Sequence, residues 1–146
     1  MKRVTLHGEE GSMLPLTMVF GALAFMLILV TVAATSLYLE RKRLFTLADG
    51  AALAGAEAFP LDTVAIESEN LRPALTSEAV ELAAREYLAS APRERFEALT
   101  ITEAMSADGQ SATVSLSAFW RPPILVLVLP SGVPLEVTSV ARSVFW

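Results

Sequence analysis

The chain has 146 residues, of which 53% are hydrophobic, and its formal net charge is −5. From Leu44 onward 13 acidic residues accompany only 6 basic ones, and a domain this acidic offers no basic face to nucleic acid. The chain has no cysteine, which excludes disulfide and thiolate chemistry.

The run from Met13 to Leu39 contains no charged residue. About 20 apolar residues suffice to cross the hydrocarbon core of a bilayer, so this run is long enough to span it as a tilted helix. A buried helix of a soluble protein and a cleavable secretory signal are the alternatives. The uncharged run is too long for either, and no clean small-residue cleavage site follows it. We therefore predict a short tail of residues 1–12 and an uncleaved transmembrane helix at 13–39.

The helix is predicted to continue beyond the membrane through residues 40–59, ending before Pro60. Basic residues at 41–43 mark the headgroup level. Small apolar residues then recur at spacings of three and four, which is typical of one helical face. This small-residue stripe consists of Leu44, Leu47, Ala48, Ala51, Ala54, Gly55 and Ala58. It predicts close helix packing, either against the following domain or against a partner helix, and Ala56 is expected to lie off the stripe.

Residues 60–146 are predicted to form a small α+β domain. Thr76 or Ser77 is a candidate N-cap, and an amphipathic helix of about 13 residues is expected to follow and to end before Pro92. Its apolar face comprises Val80, Ala83, Ala84, Tyr87 and Leu88.

A β-hairpin is predicted after this helix, because apolar residues then alternate with polar ones on both sides of Asp108-Gly109. That dipeptide is typical of a two-residue type I′ turn. Such a turn would fix these opposite pairs: Met105 with Ala112, Ile101 with Leu116, Leu99 with Ala118, Thr102 with Ser115 and Glu103 with Val114. A last strand from Leu135 to Val144 would complete an antiparallel hairpin or meander.

One segment of the domain is apolar on both faces: Ile124, Leu125, Val126, Leu127, Val128 and Leu129. Six residues are too few to span a bilayer. The prolines at 122, 123 and 130 argue against a central strand. We expect one face to pack on the domain and the other to meet a partner subunit or the membrane surface.

No pattern in the sequence indicates catalysis. There is no glycine-rich phosphate loop, no Gly-x-Ser-x-Gly, no His-Glu-x-x-His and no aspartate-rich calcium loop. The single histidine, His7, has no companion ligand for a metal. We therefore expect no enzymatic activity, no cofactor, no metal and no small-molecule substrate.

Two stretches resemble TadE/TadG-like proteins of the tight-adherence (Flp) pilus machinery. The first, Gly11-Ser-Met-Leu-Pro-Leu16, opens the membrane helix, and the second is the juxtamembrane segment 38–56. The family pattern, a basic residue and Leu followed by Ala-Asp-x-Ala-Ala-Leu-Ala-x-Ala, is carried by Arg43, Leu44, Ala48, Asp49, Ala51, Ala52, Leu53, Ala54 and Ala56. The resemblance covers residues 11–58 and implies a pilin-like or assembly protein with its domain outside the cytoplasmic membrane.

The resemblance departs from the TadE-like pattern at the processing site. Cleavage between Gly11 and Ser12 would place Leu16 where that branch has a glutamate, so the likeness is closer to the TadG-like branch. Flanking charge does not settle orientation, because Lys2 and Arg3 are matched by the basic residues at 41–43. The resemblance favours an inside N-terminus.

The sequence thus predicts a single-pass protein of the bacterial cytoplasmic membrane with a structural or assembly role in a pilus or related secretion apparatus. Membrane lipid and other pilus or pseudopilin-type subunits are the expected partners, bound through the N-terminal helix and segment 124–129. The alternative is a membrane-anchored envelope protein, unrelated to pili, that binds or regulates another membrane protein.

Overall fold

The computed structural model describes residues 13–59, 75–92, 96–121 and 132–142. The chain divides into two compact units, one ending at Thr35 and the other beginning at Ser36. The predicted architecture is confirmed: a long apolar N-terminal helix, then a small α+β domain with an antiparallel meander. The predicted domain bounds, 1–12, 13–39, 40–59 and 60–146, remain predictions.

Helix α1 runs from Met13 to Ala56 without interruption. Among the described residues it is the one helix that is long and apolar enough to cross a membrane, and none of its apolar window is buried. It ends three residues before the predicted Phe59, because the last turn tightens: the Ala58 amide donates to the carbonyl of Gly55, three residues back.

Three hydroxyl groups in the apolar part of α1 are satisfied within the helix. Thr17, Thr31 and Thr35 each donate to a backbone carbonyl three or four residues earlier, at 2.8–2.9 Å. Such bonds let a hydroxyl enter hydrocarbon without an unpaired donor. These threonines are therefore compatible with a membrane span.

Helix α2 runs from Ser77 to Ser90, close to the predicted bounds. The Thr76 side chain accepts a hydrogen bond from the Ala79 amide at 3.3 Å, so Thr76 is the N-cap. Val80, Ala84 and Leu88 are buried, as the helical spacing predicts.

The sheet has three antiparallel strands, β1 Glu97–Met105, β2 Ser111–Trp120 and β3 Val133–Arg142. β2 lies in the centre and pairs with β3 along an unbroken ladder of ten residue pairs. β3 begins two residues before the predicted Leu135. The inward face of β2 is apolar and its outer face carries mainly serine and threonine, which is the alternation expected of a sheet covered on one side.

The predicted hairpin between β1 and β2 is confirmed, but the prediction of a two-residue turn is wrong. Ile101 lies opposite Leu116 as predicted, whereas Met105 pairs with Thr113 instead of Ala112. Five residues, 106–110, connect the strands. Asp108 is the cause, because its carboxylate caps the amides of Gln110 and Ser111 and closes a wider turn.

Strand β1 also contains two irregularities that no alternation pattern reveals. One extra residue of β1 lies between Glu97 and Thr100, and another between Ile101 and Glu103. Ala98 adopts a φ of +50°, a left-handed conformation that bulges tolerate. The second bulge places Glu103, not Thr102, opposite Ser115. The predicted pairs Thr102 with Ser115 and Glu103 with Val114 are therefore wrong. The predicted pair of Leu99 with Ala118 is not observed between β1 and β2.

The core of the second unit lies between the helices and one face of the sheet. Its fully buried members are Leu44, Ala48, Ala51, Ala52 and Ala56 from α1, Val80 and Ala84 from α2, and Ala112, Val114, Leu116 and Ala118 from β2. Small residues on α1 allow a close approach of backbone to sheet, and dispersion between packed atoms then stabilises the contact.

Candidate functional site

The small-residue stripe of α1 packs within its own domain. Leu44, Ala48, Ala51 and Gly55 are buried, while Leu47, Ala54 and Ala58 are half-buried. The expectation that Ala56 lies off the stripe is wrong, because Ala56 has no exposed surface. Both α2 and the sheet contact this part of α1, so its buried face is wider than a single stripe.

Two glycines of the stripe region allow side chains to approach the α1 backbone. A Cβ at Gly50 would lie 2.1 Å from the Tyr87 hydroxyl, so the tyrosine ring occupies the space that a side chain would need. A Cβ at Gly55 would lie 3.0 Å from Val80 Cγ1 and 3.3 Å from the Ala112 Cβ. The chain thus uses glycine where α1 meets α2 and the centre of the sheet.

One polar contact joins α1 to the far strand of the sheet. The Ser139 hydroxyl donates to Asp49 Oδ1 at 2.9 Å, and Ser139 is only 4% exposed. Asp49 is the acidic residue of the juxtamembrane pattern. Its carboxylate satisfies a hydroxyl that would otherwise be buried without an acceptor.

The structure shows the small-residue stripe packed on the chain's own domain, which is one of the two predicted alternatives. A partner helix remains a prediction. It would have to use the half-buried positions together with exposed neighbours such as Leu53, which is 53% exposed.

A second feature, which sequence reasoning missed, is an open cleft of about 330 Å³. We call it the aromatic cleft, and its walls are Ser36, Glu40, Phe96, Glu97, Phe119, Trp120, Arg121 and Leu135. These residues come from α1, from the start of β1, the end of β2 and the start of β3. The only local signal was the run Phe119-Trp120-Arg121 at a strand end, because the other walls are distant in sequence.

The charged groups of the aromatic cleft are unevenly partnered. Glu40 Oε1 accepts a hydrogen bond from the Arg43 guanidinium at 2.9 Å, but Glu40 Oε2 is enclosed and has no hydrogen-bond partner. Arg121 is already paired with Glu97, Nε to Oε2 at 3.1 Å. Both carboxylates of the walls are therefore in ion pairs, Glu40 with Arg43 and Glu97 with Arg121.

One carboxylate outside the cleft has a shifted pKa. Asp108 Oδ1 accepts hydrogen bonds from the Gln110 amide at 2.9 Å and from the Ser111 amide and hydroxyl, both at 2.7 Å. These bonds stabilise the charged form and lower the pKa of Asp108 from 3.8 to about 2. The group is exposed, which fits a role in turn structure.

Several predicted positions lie outside the described residues. They are the processing pair Gly11 and Ser12 and the apolar segment Ile124–Leu129, whose proposed interface therefore stays a prediction. Within the described ranges no group of three or more histidine, acidic or cysteine side chains is placed to hold a metal ion.

Residues 11–58 match the Tad family model, which describes Flp pilus-assembly TadE/G-like proteins. The match has the bounds of the resemblance seen in the sequence and does not separate the TadE-like from the TadG-like branch. No curated protein and no solved structure matches the chain significantly.

Proposed function

We propose that this chain, a TadE/TadG-like protein by its residues 11–58, is a membrane-anchored structural or assembly component of a bacterial tight-adherence (Flp-type) pilus or related secretion apparatus. Its finer role is minor pilin-like. The observation that carries the proposal is the family match, since it covers both the candidate membrane span and the juxtamembrane part of α1.

The packing of the matched segment supports the proposal. Alanine-rich helices can imitate a family pattern by composition alone. Here the matched residues have specific partners: Leu44, Ala48 and Ala51 are fully buried in the domain, and Asp49 binds Ser139. The segment is therefore an integral part of this fold.

We further propose that the protein acts by binding and not by catalysis. In this proposal the chain lies in the cytoplasmic membrane with its N-terminus inside and its domain outside, and it contacts lipid and other pilus subunits. The N-terminal helix supplies both contacts, because its apolar side chains are exposed in the isolated chain; Phe25, for example, is 63% exposed.

Gene deletion and complementation test this proposal. A strain lacking the chain is expected to lose surface pili, measured by shearing and electron microscopy, and to regain them with the full-length wild type. A photo-crosslinking residue at Phe25 should capture a pilin subunit, whereas the same residue at Leu82, exposed on α2, serves as the matched control.

Normal piliation without the chain would overturn the pilus role. In that case a cross-link from position 25 to a membrane protein unrelated to pili would favour the alternative, an envelope protein that binds or regulates another membrane protein.

A further inference from the structure

We infer that the end of the sheet where β2 ends and β3 begins lies in the headgroup region of the bilayer, with the exposed Phe119 side chain inserted among the lipids. The partner of this surface is the lipid itself, and the surface is a second membrane contact besides the apolar helix. The placement rests on the membrane anchorage within the proposed function. It requires neither a pilus nor a particular orientation of the chain.

The second compact unit itself contains the residues that mark the membrane surface. It begins at Ser36, whereas the uncharged run ends at Leu39 and Glu40 is the first charged residue after that run. Ser36 and Glu40 line the aromatic cleft together with Trp120 and Leu135, around a space of only about 330 Å³. The end of β2 and the start of β3 therefore lie at the level where the helix leaves the apolar region.

Strand β3 runs away from this level beside α1. Leu135, near the start of the strand, shares the cleft with Glu40, whereas Ser139 donates a hydrogen bond to Asp49, nine residues further along α1. The start of β3 is therefore closer to the membrane than its end at Arg142.

The outer face of the sheet becomes apolar at the end that lies closer to the membrane. Earlier in β2 the outward side chains are serine and threonine, but the last outward one is Phe119, the one exposed residue of the strand at 44%. An exposed proline, Pro134, lies opposite Phe119 on β3. Exposed aromatic side chains are typical of surfaces that enter the interfacial layer of a bilayer.

Exposed residues of α1 at the same level favour a low position of the domain. The uncharged run has 27 residues where about 20 cross the hydrocarbon core, so helix length alone leaves the level of the domain open by about two turns. Tyr38 is 65% exposed and Leu39 is 47% exposed. Together with Phe119 they favour the position nearest the bilayer, because their apolar surface is then removed from water.

The charged residues at this end of the sheet do not oppose the contact. Arg121 pairs with Glu97, Nε to Oε2 at 3.1 Å, and both side chains are more than half exposed. The pair is neutral as a whole, and each partner can still meet the phosphate or ammonium groups of lipid headgroups. Burial of apolar surface therefore drives the contact, and anionic lipid is not required.

Cysteine probes in liposomes test this placement, because the native chain has no cysteine. Pro134→Cys and Val140→Cys, each carrying a nitrobenzoxadiazole dye, report on two exposed positions of the same face of β3. The vesicles are phosphatidylcholine with a nitroxide-labelled headgroup lipid. Quenching at position 134 is expected to be at least about threefold stronger than at position 140, because the two sites lie about 20 Å apart along the strand.

A second measurement tests Phe119 itself. With the dye at position 134, Phe119→Asp is expected to lower the quenching by about half, because a carboxylate resists transfer out of water. Phe119→Leu should retain the quenching. Leu82→Asp, at a 69% exposed site on α2, is the matched control and should change nothing. Phe119→Ser takes the place of the aspartate variant if that variant does not fold.

Equal quenching at positions 134 and 140, or unchanged quenching in Phe119→Asp, would overturn the inference. Quenching at position 134 that appears only when phosphatidylglycerol is added would also overturn it, since the basic residues at 41–43 would then hold the domain to the membrane.

Flotation of the same vesicles separates this inference from the proposed function. A chain that does not float would overturn the membrane anchorage on which both depend. A chain that floats but shows no difference between the two probes would overturn only the placement of the sheet end in the headgroup region.

Discussion

The Ser139 hydroxyl donates to the Asp49 carboxylate at 2.9 Å across 90 residues of sequence. This contact attaches β3, the last strand described, to the helix that carries the candidate membrane span. Ser139 is nearly buried, whereas Asp49 keeps one side open to solvent.

A double-mutant cycle measures that contact. We expect Asp49→Ala and Ser139→Ala each to lower the free energy of unfolding by about 1 kcal/mol, since a hydrogen bond to a charged group is partly weakened by exposure. The double variant should cost less than the sum of the two, measured by urea denaturation of the full chain in micelles. Strict additivity would mean that the bond contributes nothing, and Glu86→Ala is the control.

Gly50→Ala is expected to destabilise the wild-type domain by about 1–3 kcal/mol, because its Cβ would collide with the Tyr87 ring. In a Tyr87→Ala background the same change should be stabilising by up to about 1 kcal/mol, since alanine is the better helix former. The matched control is Gly21→Ala in the same helix, where an added Cβ would have no atom within 4 Å apart from the adjoining backbone of the helix itself. A loss of stability at Gly50 that persists without the tyrosine ring would contradict this explanation.

Ala56→Leu should destabilise the domain as strongly as Ala51→Leu, by about 1–3 kcal/mol, because both side chains are fully buried. Leu53→Ala, in the same turn but largely exposed, should change the free energy of unfolding by less than about 0.5 kcal/mol. Thermal unfolding of the three variants checks the ranking. If Ala56→Leu does not lower the stability, the buried face of α1 is the narrow stripe predicted from the sequence.

The Asp108 turn predicts a pH dependence of stability. Because the folded state lowers the pKa of Asp108 from 3.8 to about 2, its contribution is complete above pH 4 and is lost as the pH falls through 2. Asp108→Asn keeps an acceptor oxygen but cannot titrate, so the variant should lose this part of the pH dependence between pH 4 and 2. Unfolding curves of the wild type and of Asp108→Asn, measured at several pH values in that range, would show this loss. The same pH dependence of stability in both proteins would argue against the shifted pKa.

Orientation is testable because the chain has no native cysteine. Ala107→Cys lies at an exposed position in the hairpin loop and is better suited than neighbouring Ser106, whose hydroxyl is enclosed. An impermeant maleimide should label it in intact spheroplasts, whereas Lys2→Cys should react only after lysis. The reverse pattern would place the domain in the cytoplasm.

The sequence predicted those elements whose signals are local. The uncharged run, the helical spacing around Val80 and the alternation along β2 each produced an element close to its observed bounds. The hairpin register failed because Asp108 forms side-chain bonds that compete with the two-residue turn. The burial of Ala56 was missed because it depends on two layers contacting one helix.

The candidate site could not be predicted from local patterns in the sequence. The bond from Ser139 to Asp49 joins positions with no sequence relationship, and the aromatic cleft is assembled from the ends of three strands and one turn of helix. Neither arrangement produces a periodic pattern or a motif in the sequence. The juxtamembrane pattern could be matched to a family, but its packing partners could be identified only in the folded chain.

The hairpin loop 106–110 is tied to the start of α2 at two points. The Ser106 amide donates to the Ser77 hydroxyl at 3.1 Å, and the Leu75 amide donates to the Gly109 carbonyl at 2.8 Å. A short polar connection of this kind would ordinarily be chosen for inserting an epitope tag or for opening new termini. In this protein an insertion there would detach the N-terminal end of α2 from the sheet, so tags belong elsewhere in the chain.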